Sequence, residues 1–216
     1  MNRETDSRIK EELLSAAREM ATSGLVEGTA GNLSARLDNE RIVVTPASLD
    51  YAGMTASDLV VLDSKGNVLE GQRTPTTECA LHLACLNRHA DIGAVLHCHA
   101  LFASMFAVVH SPIPCVVEEF DIYVGGEVPV ADYRRTGSDA LGEEVARHLE
   151  DRGAVLMANH GLVCVGKNSA DALRVARLVE RTAQLIWGAQ LMGSPVPLPE
   201  STRAHFAPLY KKLGRL

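Results

Sequence analysis

Residues 93–99 read Gly-Ala-Val-Leu-His-Cys-His, an apolar run that ends in two histidines separated by one cysteine. The run predicts a buried strand, and successive side chains of a strand point to opposite faces. His97 and His99 are therefore expected on one face and Cys98 on the other. A third histidine, His160, follows a second apolar run further along the chain. Three imidazoles that leave a position open for water or substrate match the ligand number of a catalytic zinc site.

Glu78 is the carboxylate best placed to join these histidines. It follows Pro75-Thr76-Thr77, a sequence that predicts a helix start with a hydroxyl cap. An acid in a first helical turn also interacts favourably with the helix dipole, so the position has a structural explanation too. The functional interpretations are a metal ligand, a general base, or both in turn. His82 shares the face of Glu78 one turn later, and the sequence leaves open whether it supports the site or only packs.

Three short polar segments have the composition of a phosphate-binding site. Residues 28–34 form a Gly-rich turn that enters a strand, residues 45–48 end another strand, and Thr76-Thr77 precede Glu78. Each segment alone is more often a turn or a cap. Together they supply hydroxyls, an amide and the free N–H groups of a helix start, which bind a phosphate dianion. No Walker-type motif occurs, so a nucleoside triphosphate is not expected.

Strand and helix patterns alternate along the chain and predict an α/β fold with a mixed sheet covered by helices. Predicted helices span 6–24, 75–89, 100–109, 138–150 and 169–192, the last two capped by Ser138 and Ser169. Predicted strands span 32–37, 41–45, 59–62, 68–70, 94–98, 154–158 and 162–165. Residues 111–137 are too irregular for one element, and the proline-rich stretch 193–216 predicts an extended tail.

The composition is that of an ordinary globular protein. The 216 residues favour one domain, with 46% hydrophobic and 22% charged residues. A net charge of −6 without a basic stripe argues against nucleic-acid binding. The charged N-terminus and the lack of a long apolar stretch argue against a signal peptide and a membrane span. Five cysteines without a CxxC pair favour reduced thiols and therefore a cytoplasmic location.

Five short motifs together resemble the class II aldolase/adducin-head family, and most closely its sugar-phosphate aldolases. In family order and spacing they are Gly31-Asn32-Leu33-Ser34, Thr45-Pro46, Pro75-Thr76-Thr77-Glu78, His97-Cys98-His99 and Asn159-His160-Gly161. The resemblance covers nearly the whole chain. It implies a three-layer α/β/α sandwich around a central mixed β-sheet, as one domain over 1–216 with 193–216 as a C-terminal tail. It also implies a homotetramer with active sites at subunit interfaces.

The resemblance further implies the roles of individual residues. One Zn²⁺ per subunit would be held by His97, His99, His160 and Glu78, and Glu78 would become the acid/base once substrate displaces it. Other first-row divalent metals are compatible with these ligands. The substrate phosphate would be cradled by Thr29, Gly31, Asn32, Ala47, Ser48, Thr76 and Thr77. Ala47-Ser48 departs from the family's usual Thr-Gly, which predicts a differently tuned phosphate affinity.

The implied reaction is reversible cleavage of a ketose 1-phosphate, such as L-fuculose 1-phosphate, to dihydroxyacetone phosphate and an aldehyde. The family's sugar-phosphate aldolases carry a tyrosine that donates a proton to the aldehyde oxygen. In the matching region this chain has Glu118-Glu119 and, slightly beyond, Tyr123. Tyr210 matches a second family tyrosine in a mobile tail that covers a neighbouring site. The candidates for this proton donor are therefore Glu118, Glu119, Tyr123 and Tyr210.

Other members of the family remain alternatives. Aldolases of 5-deoxyribulose or methylthioribulose 1-phosphate fit as well as a fuculose phosphate aldolase, and a decarboxylase of the family also uses a glutamate at the position of Glu78. The methylthioribulose-1-phosphate dehydratase lacks that glutamate, and a sugar-phosphate 4-epimerase has aspartate there. A non-catalytic adducin-like interaction module would have lost metal ligands, whereas this chain keeps all three histidines and Glu78.

Overall fold

The computed structural model describes residues 3–215, with side chains described up to residue 212. The strands are β1 (Asn32–Arg36), β2 (Arg41–Val44), β3 (Val60–Asp63), β4 (Val68–Glu70), β5 (Ala94–Cys98), β6 (Val130–Ala131), β7 (Ala154–Met157) and β8 (Gly161–Gly166). The helices are α1 (Arg3–Thr22), α2 (Cys79–Arg88), α3 (Leu101–Val108), α4 (Glu118–Val124), α5 (Asp139–Arg147), α6 (Ser169–Gln190) and α7 (Glu200–Leu209). A 3₁₀ turn at Ala56–Asp58 and a π-helical segment at Tyr210–Arg215 complete this part of the chain.

The strands form one sheet in the order β4-β3-β2-β1-β5-β8-β7-β6. Its neighbouring strands are antiparallel except for the parallel pair β6 and β7. The sheet is therefore mixed, as predicted. β5 lies in the middle, between β1 and β8, and all of its residues are buried. Its Ala-Val-Leu run suits a strand that is covered on both faces.

Helices cover both faces of the sheet and confirm the three-layer arrangement. α1, α3, α4 and α6 pack on one face, together with Leu96 and Cys98 of β5. α2 and α5 pack on the other face, together with Val95. Because side chains alternate along β5, His97 projects with Val95 toward the α2 side. The prediction that His97 and Cys98 point to opposite faces of the sheet is thus confirmed.

Two stretches differ from the prediction. Residues 111–137, expected to be irregular, contain α4 and β6. The short helix α4 ends at Gly125, which adopts φ 89° and donates its N–H to the Asp121 carbonyl oxygen. A glycine in the left-handed conformation commonly ends a helix. Gly125 is therefore the residue whose type could have indicated the end of α4 from the sequence. Isolated helices this short are marginal in water, so α4 depends on tertiary packing.

The prediction of an extended tail over 193–216 is also wrong, because this stretch contains α7 and the π-helical segment. Pro199 immediately precedes α7, and the Leu198 N–H donates to the Cys115 carbonyl oxygen, which ties this part of the chain to the residues before α4. α7 and the residues after it pack against α4. Pro208 lies inside α7 one residue before its end, where it has no N–H to donate to the carbonyl oxygen four residues earlier, and the regular α-helix ends at Leu209.

Helix caps agree with the sequence in one case and differ in another. Ser138 caps α5 as predicted, since its hydroxyl accepts a hydrogen bond from the Leu141 N–H. α6 is capped by Asn168 rather than Ser169, because the Asn168 side chain accepts from the Asp171 N–H at 2.9 Å. None of the helices within residues 3–215 combines the length and the apolar character that a membrane span requires.

Candidate metal centre and active site

Three imidazoles meet at one end of β5. His97 is on the strand and His99 follows it, while His160 lies in the tight turn between β7 and β8. One nitrogen from each ring lies within 4.8 Å of the other two, and His97 Nε2 is 3.1 Å from His99 Nε2. The structure therefore brings together the three histidines that the sequence singled out.

The turn that carries His160 is shaped by its neighbours. Asn159 adopts φ 55°, in the left-handed region that asparagine tolerates better than most residues. Gly161 lets the backbone of β8 approach β5, because a Cβ there would lie 2.6 Å from the Cys98 carbonyl oxygen and 2.9 Å from His99 Cδ2. The Asn-His-Gly sequence thus provides both the turn and the close approach of the rings.

Glu78 immediately precedes α2 and presents its carboxylate to these rings. Its Oε2 lies 3.2 Å from His97 Nε2, and its Oε1 lies 3.5 Å from His160 Nε2. Asn32 Nδ2 donates to Oε2 at 2.8 Å, and the Thr136 hydroxyl donates to Oε1 at 2.9 Å. Each carboxylate oxygen therefore accepts one side-chain hydrogen bond.

This donor set fits a divalent cation. His97 Nδ1 lies 3.0 Å from the Leu162 carbonyl oxygen, which can only accept, so the ring carries its proton on Nδ1. Nε2 then turns a lone pair toward the Glu78 carboxylate, and two such acceptors at 3.2 Å repel unless a cation lies between them. A backbone carbonyl that fixes the tautomer of a histidine is a common arrangement at metal sites.

Burial favours the neutral form of His97 and His99, which is the form that binds metals. It lowers the pKa of His97 to about 3, an effect that the nearby Glu78 carboxylate only partly offsets. Burial and the nearby His160 also lower the pKa of His99. His99 is exposed and His160 is half-buried, so the cluster is open to solvent on one side. An open side is what distinguishes a catalytic metal site from a structural one.

The same contacts keep Glu78 ionised. Burial alone would raise the pKa of this carboxyl. The hydrogen bonds that Asn32 and Thr136 donate to the carboxylate favour its charged form, and the pKa of Glu78 lies below its usual range. The group therefore carries a negative charge at neutral pH, in a position where it can bind a metal or accept a proton.

A chain of buried polar side chains continues behind Glu78. Asn32 Oδ1 lies 2.6 Å from His82 Nε2, and His82 Nδ1 lies 2.7 Å from the Ser34 hydroxyl. His82 is fully buried, and burial lowers its pKa to about 4. The sequence left open whether His82 supports the site or only packs. In the structure its ring contacts Asn32, the residue that donates to Glu78, and this contact favours a supporting role.

Backbone hydrogen bonds join the predicted phosphate-binding segments. The Ala47 N–H donates to the Thr74 carbonyl oxygen at 2.9 Å, and the Thr76 N–H donates to the Thr45 carbonyl oxygen at 3.1 Å. The Thr45 N–H in turn donates to the Leu33 carbonyl oxygen at 3.0 Å. In consequence the segments at 31–33, 45–48 and 74–77 lie side by side, next to Glu78.

The predicted phosphate ligands differ in how they are presented. Thr29, Ser48 and Thr77 are exposed, and Gly31 and Ala47 are half-buried. Thr76 is buried, and its hydroxyl accepts a hydrogen bond from the Glu78 N–H at 3.3 Å. The Asn32 side chain is engaged with Glu78 and His82, as described above. Phosphate binding by these residues stays a prediction.

The structure does not bring Tyr123 or Tyr210 to the histidines of the same chain. Tyr210 and Lys211 line a cavity with Asp91, which precedes β5, whereas the histidines lie at its end. The Tyr123 carbonyl oxygen faces Gly153, which precedes β7, whereas His160 follows that strand. A strand of five residues spans roughly 16 Å, so both tyrosines lie toward the opposite end of these strands.

Glu118 lies elsewhere, exposed in the first turn of α4. Its neighbour Glu119 is exposed as well. The catalytic roles suggested for Glu118, Tyr123 and Tyr210 stay predictions.

Two residues at the site were missed by the sequence reasoning. Thr136 lies in the stretch judged irregular, and its only local signal is the Thr-Gly-Ser sequence before the helix cap. Tyr51 is buried, and its hydroxyl donates to the Gly31 carbonyl oxygen at 2.6 Å, which braces the Gly-rich turn. Burial raises the pKa of Tyr51, so the hydroxyl remains a donor.

The comparisons with known proteins agree with this geometry. The family profile described as Class II Aldolase and Adducin N-terminal domain matches residues 11–187. A 5-deoxy-D-ribulose 1-phosphate aldolase from Bacillus thuringiensis is 31% identical over 207 residues, which span 95% of this chain and 97% of that protein. The L-fuculose phosphate aldolase of Escherichia coli is 32% identical over 192 residues, which span 89% of this chain and 88% of that protein.

A decarboxylase and a solved structure complete the comparison. The 3-oxo-tetronate 4-phosphate decarboxylase of Haemophilus influenzae is 33% identical over 190 residues, which span 86% of this chain and 90% of that protein. A solved structure of an L-fuculose 1-phosphate aldolase is 33% identical, superposes with a TM-score of 0.90, and covers 95% of this chain and 97% of that one. The chain is a metal-dependent aldehyde-lyase, and it belongs to the Class II Aldolase and Adducin N-terminal domain family.

Proposed function

We propose that this enzyme is a zinc-dependent aldolase that reversibly cleaves a ketose 1-phosphate to dihydroxyacetone phosphate and an aldehyde. The observation that carries the proposal is the placement of the Glu78 carboxylate against the imidazoles of His97 and His160, next to three polar backbone segments. An acid/base group, metal ligands and a phosphate cradle are the parts that such a cleavage requires.

The chemical difficulty lies in the negative charge that develops on the dihydroxyacetone phosphate half as the C3–C4 bond breaks. A divalent ion held by the three imidazoles would supply Lewis-acid stabilisation of that charge. In condensation the ionised Glu78 removes the proton from C3, and the oxygen at C4 takes up a proton from one of the predicted donors Glu118, Glu119, Tyr123 and Tyr210. Cleavage is the reverse: that group accepts the C4 hydroxyl proton and a protonated Glu78 gives a proton to C3, so no net proton is gained or lost. The hydrogen bonds from Asn32 and Thr136 orient its carboxylate for this transfer. The segments around Asn32, Ser48 and Thr77 orient the phosphate through hydroxyls and backbone N–H groups.

The substrate we propose first is L-fuculose 1-phosphate or a close analogue. Support comes from the fuculose phosphate aldolase relative and from the structural similarity over most of both chains. The second candidate is 5-deoxyribulose 1-phosphate. It is favoured by the similarity to the 5-deoxy-D-ribulose 1-phosphate aldolase of Bacillus thuringiensis, because the alignment covers 97% of that protein.

The experiment is a panel of ketose 1-phosphates assayed for release of dihydroxyacetone phosphate, with wild-type enzyme and a Glu78→Gln variant. We include fuculose, rhamnulose, 5-deoxyribulose and methylthioribulose 1-phosphates. The variant keeps the shape of the side chain but loses the acid/base, so turnover should fall by roughly 10² or more. Near-normal turnover would exclude Glu78 from proton transfer, and no release from any ketose would exclude the aldolase reaction.

We further propose a homotetramer with active sites at subunit interfaces. It is supported by apolar side chains near the end of α6 that are exposed in the single chain, among them Trp187 at 46%, Leu191 at 77% and Met192 at 92%. It is also supported by the distance of Tyr123 and Tyr210 from the histidines of their own chain. Sedimentation analysis tests the assembly, and a monomer would contradict it. The proposed location is the cytoplasm, where free thiols persist.

A further inference from the structure

Four side chains form a continuous hydrogen-bonded line that ends on the catalytic carboxylate. From the interior outward they are Ser34, His82, Asn32 and Glu78, with separations of 2.7, 2.6 and 2.8 Å. All four are buried, and His82 is fully buried. Ser34 and Asn32 lie on the same face of β1, two residues apart, while His82 and Glu78 come from the start of α2.

The chemistry of the groups fixes the direction of every hydrogen in this line. An ionised carboxylate offers only acceptors, so Asn32 must turn its NH₂ group toward Glu78. The carbonyl oxygen of Asn32 then faces His82, and a carbonyl oxygen can only accept. His82 must therefore carry its proton on Nε2. Its Nδ1 is left with a lone pair, which accepts the Ser34 hydroxyl hydrogen.

The opposite tautomer of His82 would destabilise the contact between Asn32 and Glu78. If His82 carried its proton on Nδ1, its Nε2 would attract the NH₂ group of Asn32. The carbonyl oxygen of Asn32 would then lie 2.8 Å from the Glu78 carboxylate, where two acceptors repel each other. The tautomer of His82 with its proton on Nε2 thus favours the amide orientation that holds Glu78, and the Ser34 hydroxyl donates to the remaining Nδ1 lone pair.

We infer that His82 is a positioning residue for the lyase reaction, which fixes the orientation of the Asn32 amide and through it the Glu78 carboxylate. The inference rests on the proposed function, in which Glu78 transfers the proton at C3. His82 does not contact the substrate in this account. Its effect is expected on turnover, because it controls the geometry of the acid/base rather than the phosphate cradle.

The first test measures the tautomer of His82 directly, on the metal-free protein at neutral pH, by long-range ¹H–¹⁵N correlation NMR. The structure supplies two internal references: His89 Nε2 lies 2.7 Å from the Ala146 carbonyl oxygen, and His97 Nδ1 faces that of Leu162. His82 should match the Nε2–H pattern of His89. An Nδ1–H pattern, like that of His97, would overturn the inference. This readout does not depend on activity, so it stands even if the proposed reaction proves wrong.

The second test compares three variants in steady-state kinetics. His82→Leu removes both hydrogen bonds, and kcat should fall by roughly 10- to 100-fold with KM changed less than about threefold. His82→Gln retains one donor and one acceptor, and it should recover most of the lost turnover. His89→Gln is the matched control, since His89 is another buried histidine at the end of α2, away from Glu78.

The outcomes separate positioning from plain structural support. Loss of turnover in His82→Leu with recovery in His82→Gln supports the inference, provided that metal content and circular dichroism match the wild type. Equal turnover in all variants, or a loss confined to KM, overturns it. If His82→Leu does not fold, the NMR measurement and the comparison of His82→Gln with His89→Gln decide the question.

Discussion

Gly161 offers a direct test of how the fold brings the imidazoles together. The residue has no positive φ, so alanine is compatible with its backbone conformation. The added methyl group would however lie 2.6 Å from the Cys98 carbonyl oxygen, 2.9 Å from His99 Cδ2 and 3.3 Å from His97 Cε1. The first contact is with backbone in the paired strand β5, and the other two are with proposed metal ligands. We expect Gly161→Ala to weaken metal binding and stability together.

The magnitude follows from these distances. A carbon and a carbonyl oxygen approach comfortably to roughly 3.3 Å, so the Cys98 contact is short by about 0.7 Å. Overpacking of this kind costs about 1–3 kcal/mol of unfolding free energy. Metal ligands must keep their distances within roughly 0.2 Å, and displacing their support weakens affinity by roughly 10- to 100-fold. The zinc dissociation constant should therefore rise by about that factor.

Two measurements check this expectation. Urea unfolding of the metal-free protein reports the stability change, and competition with a chromophoric chelator reports zinc affinity. Gly188→Ala in α6 is the matched control, because a Cβ there meets nothing within 4 Å. It should raise the unfolding free energy by up to about 1 kcal/mol and leave zinc affinity unchanged. If Gly161→Ala bound zinc as tightly as the wild type and unfolded at the same urea concentration, the close packing argued for this turn would be refuted.

Three further predictions concern the surroundings of Glu78. Thr136→Val removes the hydroxyl that donates to Glu78 Oε1 at 2.9 Å, so kcat should fall about tenfold. Thr136→Ser keeps a hydroxyl and should retain the wild-type kcat in the same steady-state assay. Because burial lowers the pKa of His82 from its ordinary value of 6.5 to about 4, the stability that depends on the neutral ring is complete above pH 6.5 and is lost as the pH falls toward 4. Urea unfolding of the metal-free protein should show a loss of about 3 kcal/mol from this group, which His82→Gln should lack. Chelation should abolish lyase activity with circular dichroism unchanged, and added Zn²⁺ should restore it; activity that survives complete metal removal would contradict the site.

Local pattern was sufficient for the central strand and its histidines. The alternation along 93–99 determines that His97 and His99 share a face, because the strand period of two is a property of the backbone. The same holds for the long helix α6, whose apolar period spans many turns, and for the cap at Ser138. These features depend on neighbours in sequence, which the sequence displays.

Local pattern failed where packing decides the conformation. The seven residues of α4 are too few to form a stable helix alone, and α7 follows a proline-rich stretch that reads as extended. The two segments pack against each other and so stabilise one another. Thr136 went unnoticed for the same reason, since it approaches Glu78 from a loop 58 residues further along the chain.

The sequence by itself determined which residues could carry the chemistry: the three histidines, the glutamate and the small polar segments. Only the tertiary structure decided how those groups point. The orientation of the Asn32 amide, the proton position on His97 and the hold on both oxygens of Glu78 arise from elements far apart in the chain. Hydrogen bonds act over less than 3.5 Å and depend on direction, so their pattern is fixed only when the sheet and the helices are in place.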